Sequence, residues 1–181
     1  KQVNTLLPVD TILDIGIQVA AALDFAHKHD VVHRDIKPAN IIYDASTGSV
    51  KVTDFGVACL TNSSKTKTGT MLGSPSYMSP EQVDGHKVDG GSDLFSLGTT
   101  LYQLSTGQLP FVADTLAGLT HKICNEKQVD ITRIRPELPP CLSRIINKAM
   151  RKQRYSMRNK QSRRIPITPR PTTITAISPL F

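Results

Sequence analysis

Asp35, Lys37 and Asn40 fall within the stretch His33-Arg34-Asp35-Ile36-Lys37-Pro38-Ala39-Asn40, and Asp54 of Asp54-Phe55-Gly56 follows fourteen positions after Asn40. A carboxylate, an ammonium group and an amide this close together suit phosphoryl transfer, which depends on positioning and charge stabilisation. Asp35 can orient or accept a hydroxyl proton, and Lys37 can neutralise charge on a transferring phosphoryl group. Asn40 and Asp54 can offer the oxygen ligands that Mg²⁺ prefers. Val31-Val32 and Ile41-Ile42 flank the first cluster with β-branched residues, so the clusters read as loops between short buried strands.

Several elements must position these residues. Asp10 is a candidate N-cap, and Ile12, Ile15, Val19, Leu23 and Ala26 recur at helical steps, which predicts an amphipathic helix from about Thr11 to His29. His27 and His29 at its end read as surface residues that complement the helix C-terminus. Ile41 to Tyr43 and the residues around Val50 and Val52 predict a hairpin turned at Asp44-Ala45-Ser46-Thr47-Gly48. Such a hairpin brings Asn40 and Asp54 to the same end of adjacent strands. A second buried helix opens at Gly90-Gly91-Ser92, carries Leu94, Leu97, Gly98, Leu101 and Leu104, and closes at Gly107. A third is expected over about Ala113 to Cys124. A fourth follows the Pro-marked connector 135–140, carrying Leu142, Ile145, Ile146 and Ala149 to about Met150.

The His33–Asn40 stretch, Asp54-Phe55-Gly56 and Ser79-Pro80-Glu81, in this order, resemble the eukaryotic-like (Hanks-type) serine/threonine protein kinases. Lys37 points to the Ser/Thr class, and Ser92-Asp93-Leu94-Phe95-Ser96-Leu97-Gly98 to bacterial members. The resemblance implies ATP and Mg²⁺ as cofactors and protein substrates. It gives Asp35 and Lys37 the catalytic roles, has Lys37 contact the γ-phosphate, and gives Asn40 and Asp54 the metal. The hydroxyl-rich segment from Val57 to Met78 then resembles an activation loop, with Thr66, Thr68 and Thr70 as phosphorylation sites and Arg34 as the phosphate's partner. Ser74 falls where the family usually has a substrate-seating threonine. Glu81 and Asp93 become support residues, Asp93 by bonding the backbone of His33 and Arg34. Arg154 is a candidate partner for Glu81, although the loop before it is about three residues short for that pairing.

Length and composition narrow the choices further. The 181 residues suffice for one domain with a sizeable core. The chain begins at Lys1 without signal-peptide patterning, and reads as an internal piece of a longer product. No apolar run approaches the roughly 20 residues that cross a bilayer. Cys59, Cys124 and Cys141 are widely spaced, which favours reduced thiols in a cytoplasmic setting, alone or as the cytoplasmic part of a membrane-anchored kinase. Of the 22 Lys and Arg, 10 lie in residues 144–181 with none of the 15 acidic residues, which leaves 12 against 15 in residues 1–143. The basic character belongs to the tail, and without aromatic interleaving it does not specify nucleic acid.

The expected fold is therefore mainly α: a kinase-like C-terminal lobe over residues 1–152, with short β-hairpins at the cleft. Residues 153–181 form a basic, Pro/Thr-rich tail, read as disordered or as an aberrant ending. Family features are missing at the front: the sequence contains no G-x-G-x-x-G, no strand lysine for the α- and β-phosphates and no helix glutamate to pair with it. The expected activity is transfer of the ATP γ-phosphoryl group to Ser or Thr hydroxyls once an N-terminal lobe is present. The alternative is an inactive lobe that serves as a binding or scaffold module.

Overall fold

The structure, a computed structural model, describes residues 6–55 and 75–151. It is mainly helical, and among the described residues its β-structure is one two-stranded antiparallel sheet. Helix α1 (Val9–His27) buries Ile12, Ile15, Val19, Leu23 and Ala26, the stripe that three- and four-residue spacing predicts. It begins two residues earlier than expected: Pro8 occupies the N-cap without a side-chain bond, and Asp10 lies in the first turn, where its charge favours the helix dipole. Asp30, with φ of 59°, takes the left-handed conformation just beyond the helix, a position that aspartate tolerates better than most residues.

Strands β1 (Ile41–Asp44) and β2 (Ser49–Val52) pair with Ile41 opposite Val52 and Asp44 opposite Ser49. The turn between them is closed by Asp44, whose carboxylate accepts from Ser46 N, Ser46 Oγ and Thr47 Oγ1 at 2.9, 2.6 and 2.9 Å. These bonds hold its pKa below the usual carboxylate value. Gln18 on α1 locks the hairpin down, donating to Gly48 O and accepting from Val50 N at 2.8 and 3.0 Å. Val31 and Val32 do not form the expected strand. The Val31 amide is used by Ala26 O at the helix end, and Val31 is 41% exposed, so the segment has neither a ladder nor a buried face.

Beyond the hairpin the described residues are mainly helical: α2 (Pro80–Val83), α3 (Gly90–Thr106), α4 (Leu116–Asn125), α5 (Ile131–Ile134) and α6 (Pro140–Ala149). Helix α3 is the centre of the fold, packed on α1 along one side and α6 along another. Asp89 caps its start, donating no proton but accepting from Gly91 N at 2.8 Å, and Gly107 in the left-handed conformation closes it. Its core residues Phe95, Leu97 and Leu101 meet those of α1 and Leu142, Ile146 and Met150. Leu94, expected in the buried stripe, is instead 44% exposed, because the turn of α3 that it occupies presents Phe95 and Leu97 to the core. Gly98 marks the closest approach of α3 to α6: a Cβ there would stand 2.7 Å from Met150 Cγ and 3.0 Å from Ala149 Cβ.

Candidate active site

Two groups converge on the Asp35 side chain. Lys37 Nζ donates to Asp35 Oδ2 at 2.7 Å, and Asn40 Nδ2 donates to Asp35 O at 2.8 Å and to Oδ2 at 3.1 Å. Pro38–Asn40 form a 3₁₀ turn, which swings Asn40 back under Asp35 while Ile36 fills the core beneath it. With its amide nitrogen committed to Asp35, Asn40 presents its carbonyl oxygen as a ligand atom. Thr53 N donates to Asn40 O at 2.9 Å, so the ladder continues past β1 and β2 and brings Asn40 and Asp54 to one end of the hairpin.

Two residues here have left-handed backbone: Arg34 with φ of 70° and Asp54 with φ of 61°. Each costs about 1–3 kcal/mol, and such strain persists only where surrounding contacts fix it. For Arg34 those contacts are two hydrogen bonds to its backbone. Its N–H donates to Asp93 Oδ1 at 2.7 Å, and its C=O accepts from Gln82 Nε2 at 2.7 Å. Gln82 is itself held by a capping box with Ser79 at the start of α2.

Asp93, fully buried in the first turn of α3, also accepts from His33 N at 2.9 Å and meets His27 Nε2 at 2.8 Å through Oδ2. His27 thus reaches inward across the gap between α1 and α3, which corrects its sequence reading as a surface residue. His33 is fully buried. Its Nε2 meets Thr53 O at 2.8 Å and its Nδ1 meets Asp35 N at 3.3 Å, so the ring ties the segment to the end of the hairpin. Phe55 packs edge-on against it, with ring centroids 4.6 Å apart.

Of the remaining sequence candidates, Glu81 is buried and accepts from the Ser92 hydroxyl, a partner one helix away that the sequence did not suggest. Thr66, Thr68, Thr70, Ser74 and Arg154 lie outside the described residues. Arg34 Nε is buried and has no hydrogen-bond partner among the described residues. Sequence reasoning missed Gln82 and the inward contact of His27, and no local signal marks either, since each meets the His33–Asn40 segment or its support across the fold. Near Lys37, the Tyr77 hydroxyl donates to Gln103 Oε1 at 2.6 Å; burial raises its pKa, and the Gln103 bond and the Lys37 charge oppose that rise.

Comparison with known proteins places this arrangement. The protein kinase domain family matches residues 2–165, and the chain belongs to that family. It is similar to a probable serine/threonine-protein kinase PknB of Lactococcus lactis, 40% identical over 150 residues, covering 82% of this chain and 24% of that protein. PksC of Streptomyces coelicolor, a serine/threonine-protein kinase, is 42% identical over 149 residues, covering 81% of this chain and 27% of its own length. PknB of Mycolicibacterium smegmatis is 38% identical over 143 residues, 77% of this chain and 23% of that protein. The chain thus spans about a quarter of the length of these curated relatives. In fold it resembles a crystal structure of Rad53 residues 1–466 in complex with AMP-PNP, with a TM-score of 0.68 and 24% identity, covering 83% of this chain and 37% of that one.

Proposed function

We propose that residues 1–152 are the C-terminal lobe of a bacterial serine/threonine protein kinase, which transfers the ATP γ-phosphoryl group to Ser or Thr hydroxyls of proteins. The observation that carries the proposal is the convergence of Lys37 Nζ and Asn40 Nδ2 on Asp35. Asp35 Oδ2 orients the acceptor hydroxyl and takes its proton. Lys37, one-fifth exposed, is near enough to Asp35 to bridge from it to a γ-phosphate oxygen. The residues present fit Mg²⁺: a neutral amide oxygen on Asn40 and the exposed Asp54 carboxylate are hard oxygen donors at one end of the hairpin. Mg²⁺ is ordinarily held by one or two carboxylates together with substrate phosphates. When bound, it neutralises charge on the phosphates.

Regulation belongs to the same reading. Arg34 Nε, buried and without a hydrogen-bond partner among the described residues, suits a phosphate oxygen on Thr66, Thr68 or Thr70, which adds about −1.5 to −2 charge to the loop. Without a Gly-rich loop, a strand lysine and a helix glutamate, this chain by itself would act as a docking lobe, and its turnover depends on a nucleotide-holding lobe. Cys141 is a free thiol among the described residues, which supports a cytoplasmic setting for this part, and no described helix is long and apolar enough to cross a membrane.

The test is label transfer from radioactive ATP to Ser- and Thr-containing peptides, using the full-length product of the reading frame that contains this segment. Transfer is expected, and Asp35→Asn is expected to lower it by about 10²–10⁴-fold. Absence of transfer by the wild-type protein, or undiminished transfer by Asp35→Asn, overturns the reading.

A further inference from the structure

Two peptide units meet at Arg34, and different elements tie them. The His33–Arg34 unit is held through its N–H, which donates to Asp93 Oδ1 on α3 at 2.7 Å. In the Arg34–Asp35 unit the C=O accepts from Gln82 Nε2 on α2 at 2.7 Å, and the N–H reaches His33 Nδ1 at a longer 3.3 Å. A planar peptide unit turns about the bonds on either side of it unless one of its polar atoms is tied, and the left-handed φ of 70° at Arg34 makes such ties necessary. Because the second unit ends at the Asp35 nitrogen, its plane sets where the Asp35 side chain points. Lys37 and Asn40 grip Asp35 from the following side of the chain; on the preceding side the short bond is the one from Gln82.

The other end of the Gln82 carboxamide is also committed. Its Oε1 accepts from Ser79 N and Ser79 Oγ at 3.0 and 3.2 Å, which leaves Nε2 to face the Arg34 carbonyl. A glutamate would serve the Ser79 cap equally well, yet it has no proton to offer Arg34 O. Capping alone therefore does not call for an amide at this position.

We propose that Gln82 is a positioning residue for the transfer step: its carboxamide fixes the plane of the Arg34–Asp35 peptide, and with it the direction from which Asp35 Oδ2 meets the acceptor hydroxyl. The inference rests on the protein kinase reading above and deepens it. Gln82 acts through Asp35 and takes no proton itself.

The test is a double-mutant cycle in the full-length protein, read by label transfer. Gln82→Glu keeps the cap and loses the donor, so kcat is expected to fall about tenfold to hundredfold while KM for ATP and for the peptide stays within about twofold. Gln82→Met, which also lacks a donor but adds no charge, should show the same fall; an unchanged kcat in a folded Gln82→Met overturns the proposal. In an Asp35→Asn background both changes should cost roughly twofold or less, since the group that they misplace no longer takes the proton. An equal fall in the two backgrounds overturns the proposal, because a general defect in folding or binding would act in both. Hydrogen exchange followed by mass spectrometry, without ATP, is the second measurement. In both Gln82 variants the Asp35 amide, in peptides that cover His33–Asn40, should take up deuterium about tenfold faster, with α6 unchanged. Unchanged uptake there overturns the proposal even if activity falls. A wild type that transfers no label overturns the proposed reaction and the kinetic part of this inference, whereas the exchange result still decides whether Gln82 holds the Asp35 peptide.

Discussion

His27 on α1 and Asp93 on α3, 66 residues apart, meet through Nε2 and Oδ2 at 2.8 Å, and the same carboxylate oxygen holds the His33 amide. Three elements are thereby fixed by one side chain: the end of α1, the start of α3 and the backbone that carries Asp35. Removing a partner from a buried carboxylate costs more than a surface bond, because the remaining group is left undersolvated.

His27→Ala should therefore destabilise the protein by about 1–3 kcal/mol. Asp93→Ala, which leaves the His33 and Arg34 amides unpaired in the interior, should cost more than His27→Ala. Urea unfolding monitored by circular dichroism checks both, and equal midpoints for wild type and Asp93→Ala would contradict the arrangement.

Gly90 allows the His27 contact. A Cβ at position 90 would lie 2.7 Å from His27 Nδ1 and 2.8 Å from Cε1. Gly90→Ala is expected to cost about 1–3 kcal/mol through displacement of the imidazole. In a His27→Ala background the same change should cost much less. A double-mutant cycle by urea denaturation measures this, and additive values would exclude the clash as the cause.

Asp130 gives a pH dependence. Its carboxylate caps α5 through Thr132 N and Oγ1 at 3.0 and 2.7 Å, and fastens α6 through Ser143 Oγ and Asn147 Nδ2. Those bonds, the Ser143 hydroxyl foremost, hold its pKa well below the ordinary carboxylate value. A carboxyl group with a depressed folded-state pKa contributes stability that is present above its unfolded value, near 3.8, and lost as pH falls toward the native value. Melting temperature should therefore drop as pH is lowered below about 4, and Asp130→Asn should flatten that slope. At neutral pH, Asp130→Ala should cost about 1 kcal/mol or somewhat more, as loss of an N-cap does.

Lys37 separates chemistry from folding. Its partner Asp35 is more than a third exposed, so the ion pair adds little stability. Lys37→Ala should leave the unfolding midpoint nearly unchanged and lower phosphoryl transfer by about 10²–10³-fold in the full-length enzyme. Comparable activity of the variant in the label-transfer assay would remove Lys37 from the proposed mechanism.

What could be read in the sequence follows the range of the interactions. The stripe of α1 and the turn at Asp44–Gly48 are local patterns, and their elements formed where spacing and turn chemistry put them. Asp35, Lys37 and Asn40 are close in sequence, so their convergence needed only a tight turn at Pro38. Val31-Val32 had strand composition but no partner, and composition alone does not supply one. Helices α2 and α5 are single turns, too short to show a period, and each depends on a capping side chain, Ser79 or Asp130. His27 read as a surface residue and Gln82 went unnoticed because their significance exists only once α1, α2 and α3 are assembled around the Arg34 backbone.

Asp93 belongs to α3, the most enclosed helix of the fold, and it grips the amides of His33 and Arg34 with both oxygens. The His33–Asn40 segment is for that reason no independent loop in the energetic sense. Its deuterium uptake at these two amides should proceed only when the whole domain opens, so their exchange would report global unfolding from inside the candidate site.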